Sequence, residues 1–194
     1  MFWVLTKLAI YSPSHLGNIM KRLALSIALI AFSAHSYALE LTSSDISEGQ
    51  LMSSKFEYKG MGCDGGNLSP QLSWSNAPKG TKSFAITAFD PDAPTGSGWW
   101  HWTVLNIPAT TTSLEQGASG KLKIGHETRT DYGKPGYGGV CPPEGDGMHR
   151  YQFTIWALPE AKIDLPTDIS PAVVGFTLNK IALDKAVLTA TYVR

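Results

Sequence analysis

SFAITAFDPDAPTGSGWWHWTVLNIP, residues 83–108, holds two strand-like runs around a Pro- and Gly-rich turn, and a third run, HRYQFTIWAL, follows at 149–158. Apolar alternation bounded by Gly and Pro predicts strands at 83–90, 101–107 and 149–158. Side chains along a strand alternate between faces. Phe84, Ile86, Ala88 and Asp90 therefore share one face, as do His101, Thr103, Leu105 and Ile107, and also His149, Tyr151, Phe153 and Ile155. Each stripe carries an ionisable residue at one end. Asp90 closes its strand and His101 opens the next, so a hairpin places both at the same end of a sheet. An antiparallel third strand brings His149 and Tyr151 there as well. The pattern predicts a polar cluster at one mouth of an apolar core, with Trp102 facing away from His101 and Arg150 away from His149.

Working outward, shorter alternations predict strands at 55–58, 71–75 and 187–193. Only 171–185 has helical spacing, with Ser170 as N-cap, Pro171 in the first turn and Val174, Leu178, Ile181 and Ala182 on one face. In the loop DPDAP, 90–94, each proline fixes its own φ and pushes the residue before it toward extended geometry. A stiff loop of this kind presents backbone N–H groups and a carboxylate at low ordering cost. The segment 133–147 is richer still, with six Gly and three Pro around Cys141. The whole chain has 19 Gly and 12 Pro among 194 residues, which argues against a helical bundle and for a loop-rich β protein.

The formal charge is zero and no run of five like charges occurs, so nucleic acid is not an expected partner. Neither GxxxxGK[ST] nor GxGxxG is present, and no cofactor is expected. Lys21-Arg22, the apolar run 23–32 and Ser36-Tyr37-Ala38 read as a secretory signal peptide over 20–38, with a buried helix or an uncleaved anchor as the alternative. Residues 1–19 are then an upstream extension or a start-codon artefact, and 39–194 form a single domain. Removing Lys7, Lys21 and Arg22 leaves that domain mildly acidic, periplasmic or secreted, and without a transmembrane anchor. Both cysteines, Cys63 and Cys141, survive cleavage. In an oxidising compartment they are most simply one disulfide, the alternative being two buried thiols.

DPDAP at 90–94, WHW at 100–102 running into TVLNIP, and PPEGDGMHRYQFTIWAL at 142–158 together resemble the phosphatidylethanolamine-binding proteins, also called Raf kinase inhibitor proteins. GCDGGNLSP at 62–70 is similar to the exported, bacterial YbhB/YbcL-type branch of that family. The resemblance spans 39–194. It implies a mainly β fold, an antiparallel, Greek-key-like β-sandwich with one or two peripheral helices, and a small anion-binding pocket at one end. Carried over motif by motif, that pocket comprises Asp90, Pro94, Trp99, His101, His149 and Tyr151. The segment that covers the pocket in eukaryotic members has no clear equivalent after Val187, and the stretch at 139–141 departs from the family pattern.

The expected function is to bind a small anion: phosphate, a phospho-head-group or a carboxylate. Imidazole N–H groups of His101 and His149 would grip it, with Asp90 orienting a ring, although local chemistry alone favours a turn cap for an Asp before Pro. Affinity then falls as pH rises through the histidine range. Asp92 is assigned to turn structure and Arg150 to an ion pair. The competing class is an enzyme, either a hydrolase using Asp90 and Asp92 or a metal site of Asp90, His101 and His149. Two carboxylates two residues apart diverge on an extended chain, and no GxSxG nucleophile motif is present, so neither catalytic residues nor a metal are assigned. The family resemblance makes a protein partner conceivable, and an edge strand makes a homodimer a candidate.

Overall fold

The computed structural model describes residues 38–194. Except for Ala38, the expected signal peptide lies outside the described residues, as do residues 1–19. The strands are β1 (Glu40–Thr42), β2 (Lys59–Gly60), β3 (Cys63–Asp64), β4 (Leu72–Ser75), β5 (Ser83–Asp90), β6 (Trp99–Pro108), β7 (Ser113–Leu114), β8 (His126–Glu127), β9 (His149–Leu158) and β10 (Asp184–Tyr192); the helix is α1 (Pro171–Ile181). They form a five-stranded sheet in the order β10-β9-β5-β6-β8, a three-stranded sheet β1-β4-β7 and the small hairpin β2-β3. All these pairings are antiparallel.

The two larger sheets enclose one apolar core. Leu41, Leu72, Trp74 and Leu114 from the smaller sheet pack with Phe84, Ile86, Trp102, Val104, Phe153 and Ile155 from the larger. The opposite face of the large sheet is covered by α1, where Ala85, Leu105, Trp156 and Leu158 meet Val174 and Leu178. Gly175 permits this approach: a Cβ there would stand 2.5 Å from Cη2 of Trp100. The fold is thus the expected mainly β antiparallel sandwich with a peripheral helix.

Strands β5 and β9 coincide with their predicted limits. Other boundaries shift for identifiable reasons. Residues 54–56 form a 3-10 turn instead of a strand, because Phe56 is buried as a single anchor and only Glu57 reaches a bridge, with Val140. The helix stops at Ile181, where Ala182 turns extended and Leu183 N–H donates to Ala157 O at 2.8 Å, starting β10 at Asp184. Ser170 caps α1 through its carbonyl, which accepts from Val173 and Val174, with no side-chain cap bond.

The larger correction concerns β6, which is not regular. Ala88 pairs with Trp102 but Phe89 with Trp100, leaving His101 as an extra residue; a second shift lies between the pairs Phe84–Ile107 and Ile86–Val104. Each bulge reverses the alternation of side chains. Trp102 and Val104 therefore join the sandwich core, and Leu105 lies under the helix. Trp102 does not face away from His101 as expected, and Leu105 does not share the stripe of Ile107. Asn106 supplies the second bend with φ of 60° and is tied to Ile163 by two hydrogen bonds, Nδ2 to O at 3.0 Å and N–H to Oδ1 at 2.7 Å.

Candidate functional site

At the end of the sandwich where β5 stops and β6 and β9 begin, a cavity of about 170 Å³ is lined by Asp90, Pro94, Trp99, His101, His149 and Tyr151, the six residues named from sequence. Met61, Ala93, Thr95, Tyr132, Cys141, Pro142 and Pro143 complete it. Its volume is below the roughly 300–1,000 Å³ of sites for drug-sized ligands, so it has room for a small group only.

Asp90 holds two relationships at once. One carboxylate oxygen accepts Asp92 N–H at 2.8 Å, the turn-cap role, while Oδ2 accepts from His149 Nδ1 at 2.8 Å, the orienting role. Both Asp90 and His149 are buried. The other ring nitrogen of His149, Nε2, meets Asp146 Oδ2 at 3.2 Å. Burial disfavours charging this ring, but the hydrogen bonds and charges of Asp90 and Asp146 outweigh it, and the pKa of His149 is raised. Both ring nitrogens of His149 therefore face carboxylate oxygens, an arrangement that favours the charged ring.

His101 is set differently. Its Nδ1 lies 2.8 Å from Gly138 O and 3.2 Å from Gly139 O, and its ring meets Tyr151 edge-on at 5.1 Å and Tyr132 at 5.6 Å. Those carbonyls can come so close because neither residue carries a Cβ: at 138 it would enter the Tyr132 ring and at 139 the backbone of Phe56–Tyr58. Burial first, against the pull of the Gly138 carbonyl and Asp90, holds the pKa of His101 below its ordinary value. His101 Nε2 and the Tyr151 hydroxyl are buried without hydrogen-bond partners. Burial, then the neighbouring Asp90 charge, pushes the Tyr151 phenol well above its usual range, so it keeps its proton. Two orphaned polar atoms on the walls of one cavity are the arrangement that an occupant would satisfy.

Asp92 turns away from this cluster. Arg150 grips it through Nε at 2.8 Å and Nη2 at 2.7 Å, with its own backbone N–H at 2.9 Å, and these bonds, the side-chain ones foremost, hold the carboxyl below its usual range. Asp90 and Asp92 thus do not act as a facing acid pair. Among the described residues no three His, Cys, Asp or Glu side chains converge as metal ligands.

Cys63 and Cys141 form a disulfide joining the β2-β3 hairpin to the loop that carries Gly138 and Gly139. Sequence reasoning missed Tyr132, Asp146 and the two glycine carbonyls. Asp146 precedes His149 by three residues and stood inside a motif already noticed. Tyr132 had no periodic context to reveal it.

The chain is a two-sheet antiparallel β-sandwich with a small, partly orphaned polar cavity at one end. The sequence profile described as Phosphatidylethanolamine-binding protein matches residues 42–193, and the chain belongs to that family. It is 49% identical over 180 residues to the UPF0098 protein YbcL of Escherichia coli K12, covering 89% of this chain and 98% of that one. It is 47% identical over 158 residues to YbhB of the same organism, covering 79% and 99%. The crystal structure of E. coli YbcL, described as a member of the mammalian PEBP family, superposes with a TM-score of 0.79 at 46% identity, covering 81% of this chain and 99% of that one.

Proposed function

We propose that this protein is an exported binding protein whose cavity holds a small anionic group: phosphate, a phospho-head-group or a carboxylate. The observation that carries the reading is the pair of buried, unpartnered atoms, His101 Nε2 and Tyr151 Oη, beside the carboxylate-paired ring of His149. When charged, His149 offsets the charge of Asp90, and the Tyr151 hydroxyl offers a donor in a desolvated site, where a hydrogen bond to an anion gains strength. Export is supported by the leader-like sequence at 20–38 and by the disulfide. Binding without catalysis is favoured because the second acid of a hydrolase, Asp92, is held by Arg150.

The test is an NMR titration of the intact protein with inorganic phosphate and with acetate, near pH 6.5. Saturable shifts confined to 90–101 and 132–151 are expected. Tyr151→Phe should weaken binding about tenfold, the scale of one hydrogen bond to a charged group, with little change in melting temperature. Phosphate affinity should also fall as pH rises past neutrality and His149 loses its charge. No saturable binding by either anion, or binding indifferent to Tyr151→Phe, would overturn the reading.

A further inference from the structure

Two buried polar atoms of the cavity, His101 Nε2 and the Tyr151 hydroxyl, await partners. His101 Nδ1 faces the carbonyl oxygens of Gly138 and Gly139, which cannot donate, so this nitrogen carries the hydrogen, and in the neutral form of the ring, which burial favours, Nε2 is a bare lone pair. His149, the ring expected to grip an anion, has no free nitrogen, since Asp90 and Asp146 take one each. Tyr151, whose hydroxyl is buried without a hydrogen-bond partner, has a hydrogen to give. Between these two orphaned atoms an oxyanion without hydrogen would find one donor and would leave the Nε2 lone pair unmatched. An oxyanion that keeps a hydrogen can satisfy both orphans, donating to Nε2 and accepting from Tyr151.

Resting on the anion-binding reading above, we propose that the site selects a hydrogen-bearing phosphate, either inorganic phosphate or a phosphate monoester in its singly protonated form, over sulfate and phosphodiesters. The groups facing His101 maintain this tautomer. Tyr132 and Tyr151 cover the ring edge-on, the glycine carbonyls fix Nδ1–H, and burial opposes charging the ring against the pull of the Asp90 and Asp131 charges. Pro94, Trp99, Pro142 and Pro143 form an apolar border along which the ester substituent would leave. Discrimination follows from the cost of burying an acceptor unmatched, which a ligand lacking the hydrogen cannot relieve.

A matched pair of probes isolates the effect. Phosphoethanolamine and glycerophosphoethanolamine carry the same amine, but only the first is a monoester able to hold a hydrogen, and inorganic phosphate against sulfate repeats the contrast without an amine. Calorimetric titration of the intact protein is made near pH 6, where a monoester is about half singly protonated. Phosphoethanolamine and phosphate should bind at least about tenfold more tightly than glycerophosphoethanolamine and sulfate. Tyr151→Phe should weaken phosphoethanolamine and phosphate and preserve the ranking. Nitrogen-15 NMR of the histidines gives an independent reading: His101 Nε2 should remain unprotonated when the protein is saturated with phosphoethanolamine. Diester and sulfate within about threefold of their partners, or an imidazolium at His101 in the phosphoethanolamine complex, would overturn the proposal while the anion-binding reading stands. Failure of all four probes to bind would bring down both.

Discussion

His101 and His149 stand in one cavity wall and shift in opposite directions, because their neighbours differ. His149 pairs with two carboxylates, and its raised pKa adds stability that is complete below the unfolded value of about 6.5 and is lost as pH rises through the folded value. His101 meets carbonyls, and its lowered pKa adds stability that is present above about 6.5 and is lost as pH falls through the folded value. Urea denaturation between about pH 5 and 8 should therefore give the histidine contribution a maximum near the unfolded value. Asp90→Asn should flatten the alkaline limb and lower stability by about 3 kcal/mol, the scale of a buried ion pair broken on one side. The sequence made Asp90 legible as a cap or an orienter, and the structure shows one carboxylate doing both. It did not reveal that Asp146 occupies the far side of His149, since a tertiary pairing three residues away looks like any loop acid.

At the scale of elements, β6 shows why period-two reading succeeded for the site and failed for the core. The bulge at His101 and the bend at Asn106 each invert the alternation, so between them Trp102, Val104 and Leu105 lie on faces opposite to the prediction, while beyond both the phase is restored. His101 and Ile107 were placed correctly because two slips cancel. Only the φ of 60° at Asn106, a residue tolerant of left-handed geometry, leaves any trace in sequence. Asn106→Ala should cost about 2–3 kcal/mol by equilibrium denaturation, combining backbone strain with the loss of two hydrogen bonds to Ile163. Asn106→Gly keeps the permitted φ and loses the bonds alone, so it should fall between wild type and Asn106→Ala. Equal losses in the two variants would remove the strain argument.

For the molecule as a whole, the site is built where remote segments are tied together. The sheet supplies Asp90, His101, His149 and Tyr151, but the carbonyls that fix the tautomer of His101 belong to the loop at 138–139, which lies outside every strand and meets β6 where Gly138 N–H donates to His101 O at 2.8 Å. That loop is held on one side by bonds from Tyr58 N–H to Val140 O and from Val140 N–H to Phe56 O, at 3.0 and 3.2 Å, and by Asn67 Oδ1, which accepts Gly139 N–H at 2.8 Å. On the other side stands the Cys63–Cys141 bridge, whose partners lie 78 residues apart. In the chain-entropy model a closure of this length contributes about 4–5 kcal/mol by restricting the unfolded chain. The Cys63→Ser/Cys141→Ser double variant should lose up to about that much in urea denaturation. Because Cys141 also lines the cavity, loosening it should weaken phosphate binding beyond what reduced stability explains, visible at concentrations of urea-free buffer where the variant is still folded. The Asp90–His149 pair lies on the sheet and not on that loop, so the raised pKa of His149 should survive the double substitution. A variant that keeps full affinity would show that Asn67 and the Val140 bonds suffice to hold the two carbonyls against His101, leaving the bridge a purely unfolded-state constraint.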